Sequence, residues 1–379
     1  MKPLVAFYFA VILLAQSAVA ATVSLQRVPE GGLQPQVVTD NKGVVHLVYL
    51  KGEPRACDVF YARLESGAAK FSAPLRVNSE PNSAIAIGTI RGAQLALGRN
   101  GRVHVAWNGG GKLKPGEKHP QGTLNYARLD DAGKAFEPQR NLIGSTVHLD
   151  GGASVAADAL GNTFVVWHAT TAQSTPGEKG RRVYAAKSTD DGKTFSVETP
   201  VNMDTTGVCG CCSLKAATDH TGALQILFRS ATGGLDRDMW RISAKGKDSG
   251  SEKVQPWRLG TCPMSSASIH RDAKATYYAW ETSQQIHWDK TDADGRAVSP
   301  TNVLPGRGQR KHPALATNAK GELLIAWAEN TGWQRGGDVA WQLYDSASKP
   351  AKNGTAQGVP VWSYPAAFAD AVGNFVILH

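Results

Sequence analysis

Short runs of alternating apolar and polar residues recur along this chain, and one such run returns seven times. In Val44-Val45-His46-Leu47-Val48-Tyr49 and Arg102-Val103-His104-Val105-Ala106-Trp107, apolar side chains fall at every second position. That period marks a strand with one face turned into a core. Each run follows a tight turn and closes six residues after the turn's last residue: Gly43 to Tyr49, Gly101 to Trp107, Gly161 to Trp167, Gly222 to Phe228, Lys274 to Trp280, Gly321 to Trp327 and Gly373 to His379. The turns Asp40-Asn41-Lys42-Gly43, Asp158-Ala159-Leu160-Gly161, Asp219-His220-Thr221-Gly222 and Asp370-Ala371-Val372-Gly373 predict hairpins. Asp can bond the amides of its own turn and Gly accepts positive φ. Successive copies lie roughly 50–60 residues apart, the length four short strands and their turns require in a propeller blade. The expectation is an all-β chain folded as a single β-propeller of seven blades. Six blades is the alternative, because the last copy stops after two strands. On the seven-blade reading, Thr22 to Val28 supplies an outer strand that closes the ring.

Residues 1–20 carry a charged start, an apolar run through Leu14 and a closing Ala18-Val19-Ala20, the three parts of a secretory signal. The expected mature domain is therefore 21–379, secreted or periplasmic, and no later segment is apolar for long enough to span a membrane. No linker or low-complexity tract interrupts the repeat, so one monomeric domain is expected. The formal net charge is +9, which favours anionic partners such as acidic glycans. The basic residues are scattered and no nucleic-acid module is present, so nucleic acid is not expected as a partner.

One turn carries a recognisable motif. Ser188-Thr189-Asp190-Asp191-Gly192-Lys193-Thr194-Phe195 resembles the Asp box, or BNR repeat, of the sialidase superfamily of propellers, and weaker copies occur at Leu64 to Phe71 and Asp130 to Phe136. The resemblance implies a sialidase-like fold, with this turn joining the outer two strands of a blade; it implies nothing about catalysis. An exo-sialidase of that superfamily uses three arginines, an acid/base Asp and a Tyr activated by Glu. Arg229, Arg310 and Tyr364 fall in order for two arginines and the tyrosine. The place of the first arginine holds Leu33-Gln34-Pro35, with Arg27 too early, and Ser213-Leu214-Lys215-Ala216-Ala217 offers no carboxylate to activate the tyrosine. Asp58 stands where an acid/base residue would, but it shares a repeated strand-start pattern with Asp238 and Asp338. Ordinary sialidase chemistry is not expected.

Cys209-Gly210-Cys211-Cys212 precedes the inner strand of the fourth blade and Cys262-Pro263 that of the fifth. With Phe228-Arg229 and Asp236-Arg237-Asp238, this order is also similar to secreted bacterial proteins labelled sialidase-like. Two disulfides among Cys209, Cys211, Cys212 and Cys262 are the first reading in an oxidising compartment. A thiolate site for copper or zinc is the alternative, and no cofactor is otherwise expected. Cys57 is left over as a free or intermolecular thiol.

In a propeller, the loops leading into inner strands and the loops leaving second strands open on one face. Arg91, His168, Arg229, Arg237, Arg310, Lys311, His312 and Trp362 are therefore the candidate ligand-binding residues, with Asn108 beside them. Asp150, Asp236, Asp238, Glu281 and Tyr364 are the candidates for catalysis. Charged groups beside aromatic rings suit a sugar. Three functions follow: a protein that binds a polar or acidic glycan, or another anionic small ligand, on its open face; a glycoside hydrolase, exo-sialidase-like or with an unusual acid pair; or a metal-binding or redox protein using the cysteines.

Overall fold

A computed structural model describes residues 21–110, 122–202, 205–246, 248–302 and 308–379; the signal segment expected at 1–20 lies outside them. The seven repeats form seven sheets. The inner strands are Leu33–Thr39, Gln94–Leu97, Ser154–Ala157, Lys215–Thr218, Ala267–Arg271, Arg310–Thr317 and Ala366–Ala369. Each pairs antiparallel with the strand that follows it. In the first six sheets two further antiparallel strands complete a four-stranded meander. The structure is thus a seven-bladed β-propeller, and the six-bladed alternative falls.

The hairpin turns work as their composition implies. Asp40 Oδ1 accepts the Lys42 and Val44 amides at 2.8 and 2.9 Å, and Asp158, Asp219 and Asp370 repeat the arrangement. Gly43 closes its turn at φ 77°, where a side chain would be strained. The aromatic strand ends Tyr49, Trp107, Trp167 and Phe228 are at most 1% exposed. They pack between blades rather than within one: Trp107 of the second blade shares a cluster with Val48, Leu50 and Tyr61 of the first. Burying that apolar area between neighbours is what makes the blades hold as a ring.

Ring closure differs in detail from a regular blade. Val23–Gln26 pairs with Phe375–Leu378 in parallel, as the third strand of a three-stranded sheet. It must leave in the direction of an outermost strand to feed the next inner strand, yet it lies beside the second strand. Those two requirements together impose parallel pairing. The Ala21 backbone nitrogen donates a hydrogen bond to Glu322 Oε1 in the sixth blade, 301 residues away.

The motif turn at residues 188–195 joins the third strand, Arg182–Ser188, to the outer strand, Thr199–Pro200. Asp190 accepts the Thr194 amide at 2.9 Å and its hydroxyl at 2.6 Å, while Phe195 meets Tyr126 of the preceding blade edge-on at 4.8 Å.

Candidate functional site

The lead-in loops converge on the open face around a central channel. At six of the seven, the loop or the irregular start of the strand it enters places a non-glycine residue at positive φ: Gln34, Thr89, His148, Met264, His312 and Trp362, between 48° and 63°. Each such residue costs on the order of 1 kcal/mol, and the fold repeats that cost around one rim. The fourth blade differs: Cys209 pairs with Cys212 within its loop, and Cys211 pairs with Cys262 of the next loop. The second bridge staples two adjacent loops at the mouth.

Inside the rim is a cavity of about 100 Å³ lined by the first residues of the inner strands. Seven inner-strand residues are equivalent by register, each pairing with the residue before the aromatic strand end, and all but Ser154 line the cavity. Six are Gln, Ser or Ala: Gln36, Gln94, Ser154, Ser268, Ala314 and Ala366; the seventh is Lys215. Its ammonium donates to Gln94 Oε1, reaching from the fourth blade to the second. Burial pulls the Lys215 pKa down to about 8.

One residue-pair outward, His312 stacks on Tyr364 with ring centroids 5.1 Å apart, and the His312 amide donates to Ser266 Oγ at 2.8 Å. Burial depresses the His312 pKa to about 3, aided by Lys311 and Lys215, so the imidazole is neutral. Burial likewise raises the Tyr364 hydroxyl, which projects over Gly92, where a Cβ would collide with it. Gln34 spans the rim by donating to the carbonyls of Ala86 and Trp362. No Asp or Glu is among the described residues lining the cavity.

A charged cluster borders the mouth at the second to fourth blades. Arg91 donates to the Asp150 carboxylate at 2.6 Å, and also to the carbonyls of Asp150 and Ile87. Arg181 donates to the His148 carbonyl at 2.7 Å, while its buried Nε has no hydrogen-bond partner among the described residues. His168 sits behind, its Nε2 2.9 Å from the Cys212 carbonyl. A carbonyl only accepts, so that nitrogen carries the proton, and burial next to Arg181 takes the His168 pKa down to about 3. Asn108 holds the Gly151–Ala153 backbone from both sides.

Several sequence candidates are placed elsewhere. Arg229 is 1% exposed; its guanidinium donates to Ser265, Thr282 and the carbonyls of Arg237 and Glu281, and lies over Trp257 at 4.8 Å. Those bonds tie two blades together, and neither Asp236 nor Asp238 receives one. Arg237 pairs with Glu178 at 2.7 Å, and Glu178 also accepts the Gly210 amide, so this arginine anchors the cysteine loop. Arg310 bonds Glu329 and stacks on Trp327. The two arginines implied by the sialidase resemblance are buried supports: Arg229 finds acceptors in the neighbouring blade, and Arg310 finds Glu329 and Trp327 in its own.

The candidate carboxylates are held by local partners. Asp236 meets Arg258 at 3.3 Å, and Asp238 meets Lys253 at 2.7 Å while accepting the Trp257 amide. Glu281 is 1% exposed, and burial raises its pKa against the pull of Arg229 and Lys311. Asp58 accepts from Asn78 and the Asn82 amide, a loop-holding role. Lys311 donates to the Pro263 carbonyl at 2.7 Å beside the staple. Trp362 packs edge-on against Trp333 at 4.7 Å, and Trp333 itself is 61% exposed.

The Sγ atoms of Cys209, Cys211 and Cys212 lie within 4.8 Å of one another. Paired as disulfides, they offer no thiolate; copper or zinc would fit this donor set only after reduction. Cys57 is unpaired and buried, and that burial pushes its pKa up to about 12.

Reading the sequence missed Lys215, Gln94, Gln34, Arg181 and Trp333. For Lys215 a signal was present: it is the one charged residue at a position that is Gln, Ser or Ala in every other repeat.

The chain matches no protein-family profile and no curated protein sequence. Among solved structures it is similar to the α-L-arabinanase of Penicillium chrysogenum complexed with arabinobiose: TM-score 0.53, 11% identity, 87% of this chain and 99% of that one. It is also similar to the α-L-arabinofuranosidase of Fusarium graminearum, with TM-score 0.52 and 12% identity over 86% of this chain and 98% of that one. The Trypanosoma rangeli sialidase bound to the inhibitor DANA gives TM-score 0.51 and 11% identity over 83% of this chain and 56% of that one. At these identities the likeness establishes the sialidase-like propeller fold. Among the described residues no helix is long and apolar enough to cross a membrane.

Proposed function

We propose that this protein binds an acidic or polar glycan at the open face, with the sugar seated over the central channel. The observation that carries the reading is the channel itself. It is open at the rim, and its described lining places Gln, Ser, His and Tyr around one ammonium with no carboxylate among them. Such a surface offers hydrogen bonds and positive charge to a ligand but no acid pair across it, so binding is favoured over two-carboxylate hydrolysis. The chain's excess of basic residues supports a ligand of negative charge, and the arabinobiose named with one structural neighbour supports a carbohydrate. The exposed Trp333, held against Trp362, supplies a rigid aromatic face suited to stacking on a sugar ring. The metal and redox reading is weaker, since all four clustered cysteines are paired.

The test is calorimetric titration of the purified protein with oligogalacturonate, oligoalginate and neutral arabino-oligosaccharides. Acidic oligosaccharides bind and lose affinity as salt rises. Equal binding of the neutral series, or none by any acidic one, overturns the reading.

A further inference from the structure

Lys215 carries a charge that the surrounding protein does not balance. An enclosed ammonium is costly unless paired, and among the described residues its hydrogen bond goes to the neutral Gln94 amide. None of the described residues lining the cavity is Asp or Glu. Equivalent positions in the other blades are Gln, Ser and Ala, so the fold does not require a lysine there. The cavity around it exceeds the room one water needs and carries further polar groups: Ser213, Ser268 and Tyr364.

We propose that the inner end of the channel is an anion site, in which Lys215 pairs with a single carboxylate of the ligand. One ammonium balances one negative charge, so a carboxylate is matched and a dianionic phosphate is not. Deepening the glycan reading on which it rests, this assigns the ligand's acidic group as a uronic-acid carboxylate delivered by a glycan, or else the carboxylate of a free organic acid. The channel also gives the site a pH signature. Among the described residues, the titratable groups lining it besides Lys215 are His312, His270 and Tyr364. Burial holds the two histidines neutral, with pKa about 3 and about 4, and raises the tyrosine. Lys215 is then the channel group that changes charge on the mildly alkaline side of neutrality, and a bound carboxylate pulls its pKa back up.

The experiment titrates the whole protein and its Lys215→Met and Lys215→Gln variants with galacturonate, galacturonate methyl ester, trigalacturonate, acetate and inorganic phosphate. Galacturonate and trigalacturonate are expected to bind the native protein at least tenfold more tightly than the ester or phosphate. Both variants lose at least tenfold for the acids and change little for the ester, and native affinity for the acids falls above about pH 8 in step with loss of the ammonium. Acid affinity unchanged in a folded variant overturns the anion site; if trigalacturonate still binds, the glycan reading survives. Acetate binding that depends on Lys215, with no saccharide bound, upholds the anion site and refutes the glycan reading. Should either variant fail to fold, an acid affinity independent of pH between 7 and 10 in the native protein overturns the proposal by itself.

Discussion

Replacing Lys215 by Met should stabilise the unliganded protein, because it removes a charge the fold leaves unbalanced while keeping a stem of similar length. The pKa falls from 10.5 to about 8, and each pKa unit is worth about 1.4 kcal/mol, so the charge costs up to ~3 kcal/mol at pH 7. Loss of the hydrogen bond to Gln94 offsets ~1 kcal/mol of that, leaving a gain of about 1–2 kcal/mol. The pH dependence fixes the cause. Between pH 8 and 10.5 the unfolded chain holds a proton on this lysine that the folded chain has released, so native stability rises with pH across that window. The advantage of Lys215→Met therefore shrinks as pH rises and is gone by pH 10.5. Urea unfolding of both proteins at pH 7, 8.5 and 10 reads these differences directly. A variant less stable than the native protein at pH 7, with a gap that does not change with pH, would refute the reasoning and mean that the channel satisfies the ammonium.

Three further outcomes are expected. Cys211→Ser with Cys262→Ser opens a bridge of sequence separation 51 and should cost about 4 kcal/mol on the chain-entropy view, read by urea unfolding, while thiol titration of the native form detects Cys57 only after denaturation; ready labelling of a folded native protein would contradict the pairing. Arg229→Lys keeps the charge but loses the fork that joins two blades, so unfolding midpoints should drop by the equivalent of about 1–3 kcal/mol with ligand affinity unchanged; lost affinity at native stability would put this residue in the site instead. Gly92→Ala drives a methyl into the Tyr364 hydroxyl and should weaken oligogalacturonate binding at least tenfold in calorimetry, and full affinity would show that Tyr364 does not shape the channel.

The repeat made the blades legible because each copy encodes its own hairpin: the Asp turn, the alternating strand and the buried aromatic are local signals that need no partner to be read. The disulfide-bearing junction was legible for the related reason that Cys209, Cys211, Cys212 and Cys262 all lead into adjacent inner strands. The arginines were not. Arg229 and Lys215 look alike as isolated cations in strands, and only the neighbouring blade decides that one meets Ser265 and two carbonyls while the other meets an amide across an open channel. The parallel closing strand was equally hidden, since direction depends on where residues 23–26 dock and not on their sequence. Trp333 lies outside the repeat in a loop, so no periodicity marks it.

The most direct test of a glycan seated over the channel is a difference electron-density map from crystals soaked with trigalacturonate. The account predicts saccharide density at the rim beside His312 and Tyr364, with one carboxylate within hydrogen-bond distance of Lys215 Nζ. Saccharide density confined to the outer strands of the blades, with the channel holding only water, would contradict it.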